Sequence, residues 1–119
     1  MAGEMFRVEG DHLVRTVGTG NVPEGCCRRS AFERIAWEID ELLGEVFTVR
    51  SLLARFRRAL REPMPVSDVS VALSFLEECG LVVNQGGTYR ATTDSVHLDG
   101  MTEYHALREK GSSDRSGLE

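Results

Sequence analysis

The chain has 119 residues, of which 41% are hydrophobic and 28% charged, and its formal net charge is -5. These values are ordinary for a soluble globular protein and leave room for one domain around one core. No apolar run approaches the roughly 18 residues that a membrane-spanning helix needs, so no membrane partner is expected. The N-terminal MAGEMFRVEGD carries acids where a secretory signal carries an apolar stretch, and an odd count of three cysteines does not form a disulfide framework. We therefore expect a cytoplasmic protein.

The N-terminal region predicts a hairpin followed by a loop. Two β-like runs at residues 6–8 and 13–17 flank a turn-like segment at 9–12. Residues 18–25 include three glycines, an asparagine and a proline, which favour a loop. The predicted organisation is an N-terminal extension at 1–29, a main domain at 30–97, and a short helix with a disordered tail at 98–119.

The first predicted helix begins at Ser30, which fits a capping box with Glu33, and ends at Gly44. Apolar residues at helical spacing predict its buried face: Phe32, Ile35, Ala36, Ile39 and Leu43. Trp37 falls on the polar side of this helix. A large aromatic side chain there needs a cover, either the N-terminal hairpin or a partner protein. Both alternatives predict a Trp37 that is shielded from water.

The second predicted helix is basic, whereas the first is acidic. A brief strand at residues 46–48 precedes it, and Thr48 is expected to cap it. Residues 48–61 contain five arginines and no acid, while residues 30–45 contain five acids and one arginine. Charge is therefore segregated between the two helices.

The third predicted helix runs from Val66 to Cys79, after two prolines that interrupt any continuous helix, and Ser67 is its expected cap. Its predicted buried stripe consists of Val69, Ala72, Leu73 and Leu76. Its predicted outward face consists of Ser67, Ser70, Val71, Ser74 and Glu78.

A hairpin follows the third helix. Gly80 ends the helix, and the strand-like runs 81–83 and 88–92 flank Gly86 and Gly87, a pair that permits the positive φ of a tight turn. The order helix, strand, basic helix, turn, helix, hairpin resembles the winged helix-turn-helix superfamily over residues 30–93. The resemblance implies an α+β winged-helix fold of order α-β-α-α-β-β, extended by the N-terminal hairpin and the C-terminal helix.

The resemblance also implies contacts to double-stranded DNA, with the third helix in the major groove and the second helix and hairpin on the backbone. The candidate contacts are Arg50, Arg57, Arg58 and Arg61 of the second helix, Ser67, Ser70 and Ser74 of the third, and Arg90 of the hairpin. The third helix has no Arg, Lys, Asn or Gln, the side chains that most often read bases. The first functional hypothesis is therefore a small DNA-binding regulator that grips phosphates and reads bases weakly.

The alternative hypothesis is a protein interaction module that does not bind DNA. In that case the arginines form a solvated face or pair with first-helix acids of a neighbouring subunit. Trp37 and Tyr104, the latter on a C-terminal helix predicted from Asp99 to Lys110, are the candidates for a partner or homodimer interface.

Enzyme activity is not expected from this sequence. It carries no recognisable catalytic triad, paired-carboxylate motif or glycine-rich phosphate loop. Cys26 and Cys27 are adjacent and lack the spacing of a zinc site. We therefore expect no catalytic residue, no metal and no cofactor.

Overall fold

The computed structural model describes residues 4–17, 23–59 and 63–116, which form an α+β structure. Its elements in chain order are β1 (Glu4–Glu9), β2 (His12–Val17), β3 (Pro23–Arg28), α1 (Arg29–Asp40), α2 (Val49–Ala59), α3 (Val66–Glu78), β4 (Val82–Gln85), β5 (Thr88–Ala91) and α4 (Val96–Ser116). Strands β1, β2 and β3 form an antiparallel N-terminal sheet in that order, and β4 pairs with β5 in a separate hairpin. None of the described helices is long and apolar enough to cross a bilayer.

The N-terminal sheet confirms the predicted hairpin and adds a strand that was not predicted. The β1–β2 pairing is the hairpin, but the predicted loop at 18–25 is wrong for its last three residues, which begin β3. Pro23 is tolerated because it is the first residue of an edge strand. Gly25 allows close packing, since a Cβ there would lie 3.0 Å from Cγ2 of Val71 in α3. Residues 18–22 lie outside the described part of the chain.

One of the three predicted N-terminal helix caps is observed. The Ser51 N–H donates to Oγ1 of Thr48 at 3.0 Å, and the Thr48 N–H donates to Oγ of Ser51 at 2.9 Å, so Thr48 caps α2 as predicted. The predicted caps Ser30 and Ser67 are wrong, because both residues lie inside helices that begin one residue earlier. The residues preceding α1 and α3 make no side-chain cap bond.

Helix α1 ends at Asp40, before the predicted end at Gly44. Leu43 adopts a φ of 54° and Gly44 a φ of 86°, so the chain leaves the helical path there. Leu43 is 90% exposed, and its predicted place on the buried face is therefore wrong, whereas the other four members of that face are buried. The short strand predicted next is reduced to a single bridge, in which Phe47 and Tyr89 exchange backbone hydrogen bonds.

Helix α3 is enclosed by protein on two sides. Its predicted stripe is buried: Val69, Ala72, Leu73 and Leu76. On another side, Val71 has no exposed surface and faces Gly25 of β3. The ring of Phe75 lies edge-on to Phe6 of β1, with centroids 5.3 Å apart, and to Phe32 of α1, with centroids 5.7 Å apart. The prediction that Val71 faces outward is therefore wrong, because the N-terminal sheet covers that part of α3.

Helix α4 is longer than predicted and is capped from a distant part of the chain. Both carboxylate oxygens of Asp40 accept bonds from its first turn, from the Val96 N–H at 2.7 Å and from the His97 N–H at 3.0 Å. The helix thus starts before Asp99, the first residue of the predicted C-terminal helix, and it continues into the tail predicted to be disordered. The Asp40 carboxylate fixes the position of α4 against α1.

Because part of α3 is covered, an introduced arginine should change the free energy of unfolding differently at a covered and at an exposed position of this helix. Val71→Arg buries an unpaired guanidinium between α3 and the N-terminal sheet, so we expect the free energy of unfolding to fall by about 3 kcal/mol or more. Ser67→Arg places the same group at an exposed position of α3 and should change it by less than about 0.5 kcal/mol. Urea unfolding followed by circular dichroism measures both values. Equal effects would contradict a covered face.

Candidate interaction surfaces

The N-terminal sheet engages two of the three serines predicted to contact DNA. Nη1 of Arg15 in β2 donates to Oγ of Ser70 at 3.3 Å and to Oγ of Ser74 at 3.0 Å, and both serines are half-buried. Ser67 is exposed in the first turn of α3. The structure therefore does not bring these three serines together on an open surface.

The first turn of α3 already holds a carboxylate of the protein. Asp68 is buried, and Nε of Arg28 donates to its Oδ2 at 3.2 Å. The partial positive charge of a helix N-terminus favours an acid at this position. The Asp68 carboxylate therefore already occupies part of this end of α3, and its pair with Arg28 adds no net charge there.

The arginines predicted to contact phosphates lie on the exposed side of α2. Arg50, Arg57 and Arg58 are exposed, as is Arg90 on β5, and none of the four forms an ion pair within the described part of the chain. Arg61 lies outside the described residues. The structure thus brings three of the predicted arginines together on one helix.

Arg55, the remaining arginine of α2, has an inward role that the sequence analysis missed. Its Nε donates to Oε1 of the buried Glu38 at 3.0 Å, and Nη2 of Arg34 lies 3.5 Å from Oε2 of the same carboxylate. The i, i+4 spacing of Arg34 and Glu38 is visible in the sequence. The bond from Arg55 to Glu38 depends on how α1 and α2 pack, so no local sequence pattern predicts it.

Trp37 lies open on α1. Its side chain is 44% exposed, and the guanidinium carbon of Arg34 lies 5.1 Å from the ring centroid, within cation–π range. The expectation that the N-terminal hairpin shields Trp37 is wrong, because that sheet packs on α3 and α4 instead. Shielding by a partner protein stays a prediction.

A shallow cavity of about 400 Å³ lies beside Trp37. Its lining consists of Ser30, Glu33, Arg34, Trp37 and His97. Nε2 of His97 lies 3.4 Å from Oε2 of Glu33, and the neighbouring Leu98 is exposed. An exposed tryptophan, an arginine and an apolar side chain are residue types common in protein interfaces.

Tyr104, the second residue predicted at a partner interface, belongs to the core. It has no exposed surface, and its ring stacks on Phe32 with centroids 5.6 Å apart. Burial raises the pKa of its phenol, and the nearby Asp11 raises it further. Among the described residues the Tyr104 hydroxyl has no hydrogen-bond partner. In this structure Tyr104 is not available to a partner.

Two of the three cysteines lie in surroundings that do not activate a thiol. Cys26 is exposed, Cys27 is buried and Cys79 is half-buried. Burial raises the pKa of Cys27 well above its ordinary value, and burial with Glu103 and Glu78 nearby raises the pKa of Cys79 to about 12. Both thiols are therefore protonated at neutral pH and are poor nucleophiles. The described residues contain no group of three or more side chains that could hold a metal.

No protein-family model matches the sequence, and comparisons with curated proteins and with solved structures give no significant match.

Proposed function

We propose that the protein is a winged-helix-like interaction module that binds another polypeptide through the α1 surface around Trp37. The sequential order of α1, α2, α3 and the β4–β5 hairpin supports the winged-helix arrangement, as does the bridge from Phe47 to Tyr89, which joins the segment before α2 to the hairpin. One observation carries the proposal: the face of α3 that would contact bases is covered by the N-terminal sheet, whereas Trp37 is exposed to solvent.

The cover on α3 argues against base readout by this helix. Readout requires a helix that lays its side chains against base edges in the major groove. Val71 has no exposed surface, and two serines of the same face bond to Arg15. Freeing them would expose the apolar contacts of Val71 and Phe75, at a cost of several kcal/mol. Binding through Trp37 requires no such rearrangement.

The Trp37 surface, meaning the residues that line the cavity beside Trp37, contains two residue types that are enriched at interface centres. Tryptophan and arginine are enriched among the residues that dominate binding energies, and Trp37 stacks with Arg34 here. The bonds from Asp40 to the first turn of α4 hold His97 beside Glu33, so this surface is formed before any partner arrives. A preformed surface loses little conformational entropy on binding.

Affinity capture from extracts of the cells that produce the protein tests this proposal. Replacing a central interface tryptophan costs 2 kcal/mol or more, about 30-fold in affinity, so Trp37→Ala should remove the captured partner. Val83→Ala is the matched control, because Val83 is a partly exposed apolar residue on the hairpin, away from α1. Mass spectrometry quantifies the captured proteins. Capture that is equal for the two variants would contradict the proposal.

The open arginines of α2 favour a second candidate function, the binding of DNA phosphates without base readout. Charges are screened over about 8 Å at physiological salt, so a local cluster of Arg50, Arg57 and Arg58 attracts phosphate despite the net charge of -5. Arg90 on the hairpin supplies a fourth cation. The buried face of α3 plays no part in this candidate.

Fluorescence anisotropy of a labelled duplex tests the second candidate. Four arginine–phosphate contacts predict that affinity falls on the order of 100-fold between about 50 and 200 mM salt. Arg57→Glu with Arg90→Glu should abolish binding and leave capture through Trp37 intact, because both residues are exposed and lie apart from α1 in the sequence. A protein that does not bind the duplex at about 50 mM salt would exclude this candidate.

A further inference from the structure

Helices α1 and α2 carry complementary rows of side chains on their outer sides. The acidic row is Glu33, Trp37 and Glu41, and the basic row is Arg50, Ala54 and Arg58. Each row has the spacing i, i+4, i+8, so its members share one face of the helix and span about 12 Å. Glu41 directly follows α1 and keeps helical dihedral angles. The acidic row thus places an aromatic ring between two acids, and the basic row places a small residue between two arginines.

We propose that a second copy of this chain docks its basic row on the acidic row, and that two-fold symmetry repeats the contact to give a homodimer. The inference rests on the proposed function, because it names the polypeptide that the Trp37 surface binds. Each row is symmetric about its centre, so the acids meet the arginines whether the two helices run parallel or antiparallel. A closed two-fold arrangement uses both rows of both copies.

The centres of the two rows also fit each other in size. Ala54 has no atoms beyond Cβ, so a gap lies between the longer side chains of Arg50 and Arg58, and the indole of Trp37 fills it. The arginine stems flank the ring with apolar surface, and their guanidinium groups reach the acids beyond it. A tryptophan between arginines also gains from cation–π attraction.

Five of the six row members are exposed, and Ala54 at the centre of the basic row is half-buried. The bond from Arg55 to Glu38 joins α1 to α2 through side chains that belong to neither row. Among the described residues, no arginine or lysine pairs with Glu33 or Glu41, and Oε2 of Glu33 lies 3.4 Å from Nε2 of His97. Arg50 and Arg58 make no ion pair with any described residue.

Variants in which the charges of one row are reversed test the dimer, and sedimentation velocity measures their association. Wild-type protein should sediment as a dimer at about 100 μM. Arg50→Glu with Arg58→Glu makes both rows acidic, and Glu33→Arg with Glu41→Arg makes both rows basic, so each double variant should weaken the dimer by at least about 10-fold. An equimolar mixture restores opposite charges at both contacts and should sediment as a heterodimer.

Two control variants change the net charge by the same amounts as the row variants, but at residues outside the rows. They are Arg90→Glu with Lys110→Glu, and Glu77→Arg with Glu103→Arg, all at exposed positions. Each control should remain dimeric alone. Circular dichroism melting identifies any variant that fails to fold, and in that case Ala54→Leu provides the test, because it fills the gap without changing charge and should weaken the dimer by at least about 10-fold.

Several results would overturn the homodimer. These are a wild-type protein that sediments as a monomer, a mixture of the two double variants that stays monomeric, and controls that dissociate as fully as the row variants. Failure of the homodimer is distinguishable from failure of the proposed function. A monomer that still captures a different protein through Trp37 overturns self-association alone, whereas a monomer whose capture is insensitive to Trp37→Ala overturns both.

Discussion

The packing of the N-terminal sheet on α3 determines which surfaces this protein offers. Val71 and Phe75 supply the apolar part of the contact, and Gly25 lets β3 approach closely enough to bury Val71. Arg15 supplies the polar part by bonding two serines of α3, and Arg28 pairs with the buried Asp68. Because these contacts cover the middle of α3 in addition to its predicted buried stripe, this helix belongs to the core. The exposed residues of α3 lie only at its two ends, so its middle offers no open binding surface.

The buried Glu38 and the half-buried Asp40 determine which side of α1 faces outward. Glu38 turns inward to Arg55 of α2, and Asp40 turns to the N-terminus of α4. These contacts fix the rotation of α1 about its axis, so that Trp37 faces outward between Glu33 and Glu41. By fixing this rotation, the carboxylates of Glu38 and Asp40 determine which side of α1 faces outward, and both proposals depend on that side.

The sequence predicts the helices and the hairpin well because their signals are local. Apolar spacing locates the buried stripe of α3, and the pair Gly86 and Gly87, both with positive φ, locates the turn between β4 and β5. Strand β3 was missed because Pro23 and Gly25 are typical of loops, and only pairing with β2 and packing on α3 make them strand residues. Because β3 packs on Val71, part of the predicted outward face of α3 is buried.

The candidate sites were predictable to the extent that they depend on helical spacing alone. The exposure of Arg50, Arg57 and Arg58 follows from that spacing, whereas the inward turn of Arg55 and the covered serines of α3 depend on contacts distant in sequence. One signal for the cover was present: Val71 is an apolar residue on a face that was otherwise read as polar and outward.

A nuclear Overhauser spectrum of the protein with labelled methyl groups shows directly whether the N-terminal sheet encloses α3. Enclosure of α3 predicts a strong cross-peak between a Val71 methyl group and the α-protons of Gly25, and protection of that methyl group from a soluble paramagnetic agent. A Val71 methyl group that lacks this cross-peak and is readily relaxed by the agent would contradict the account. That result would mean that α3 is exposed, and its outer face would again be a candidate for DNA readout.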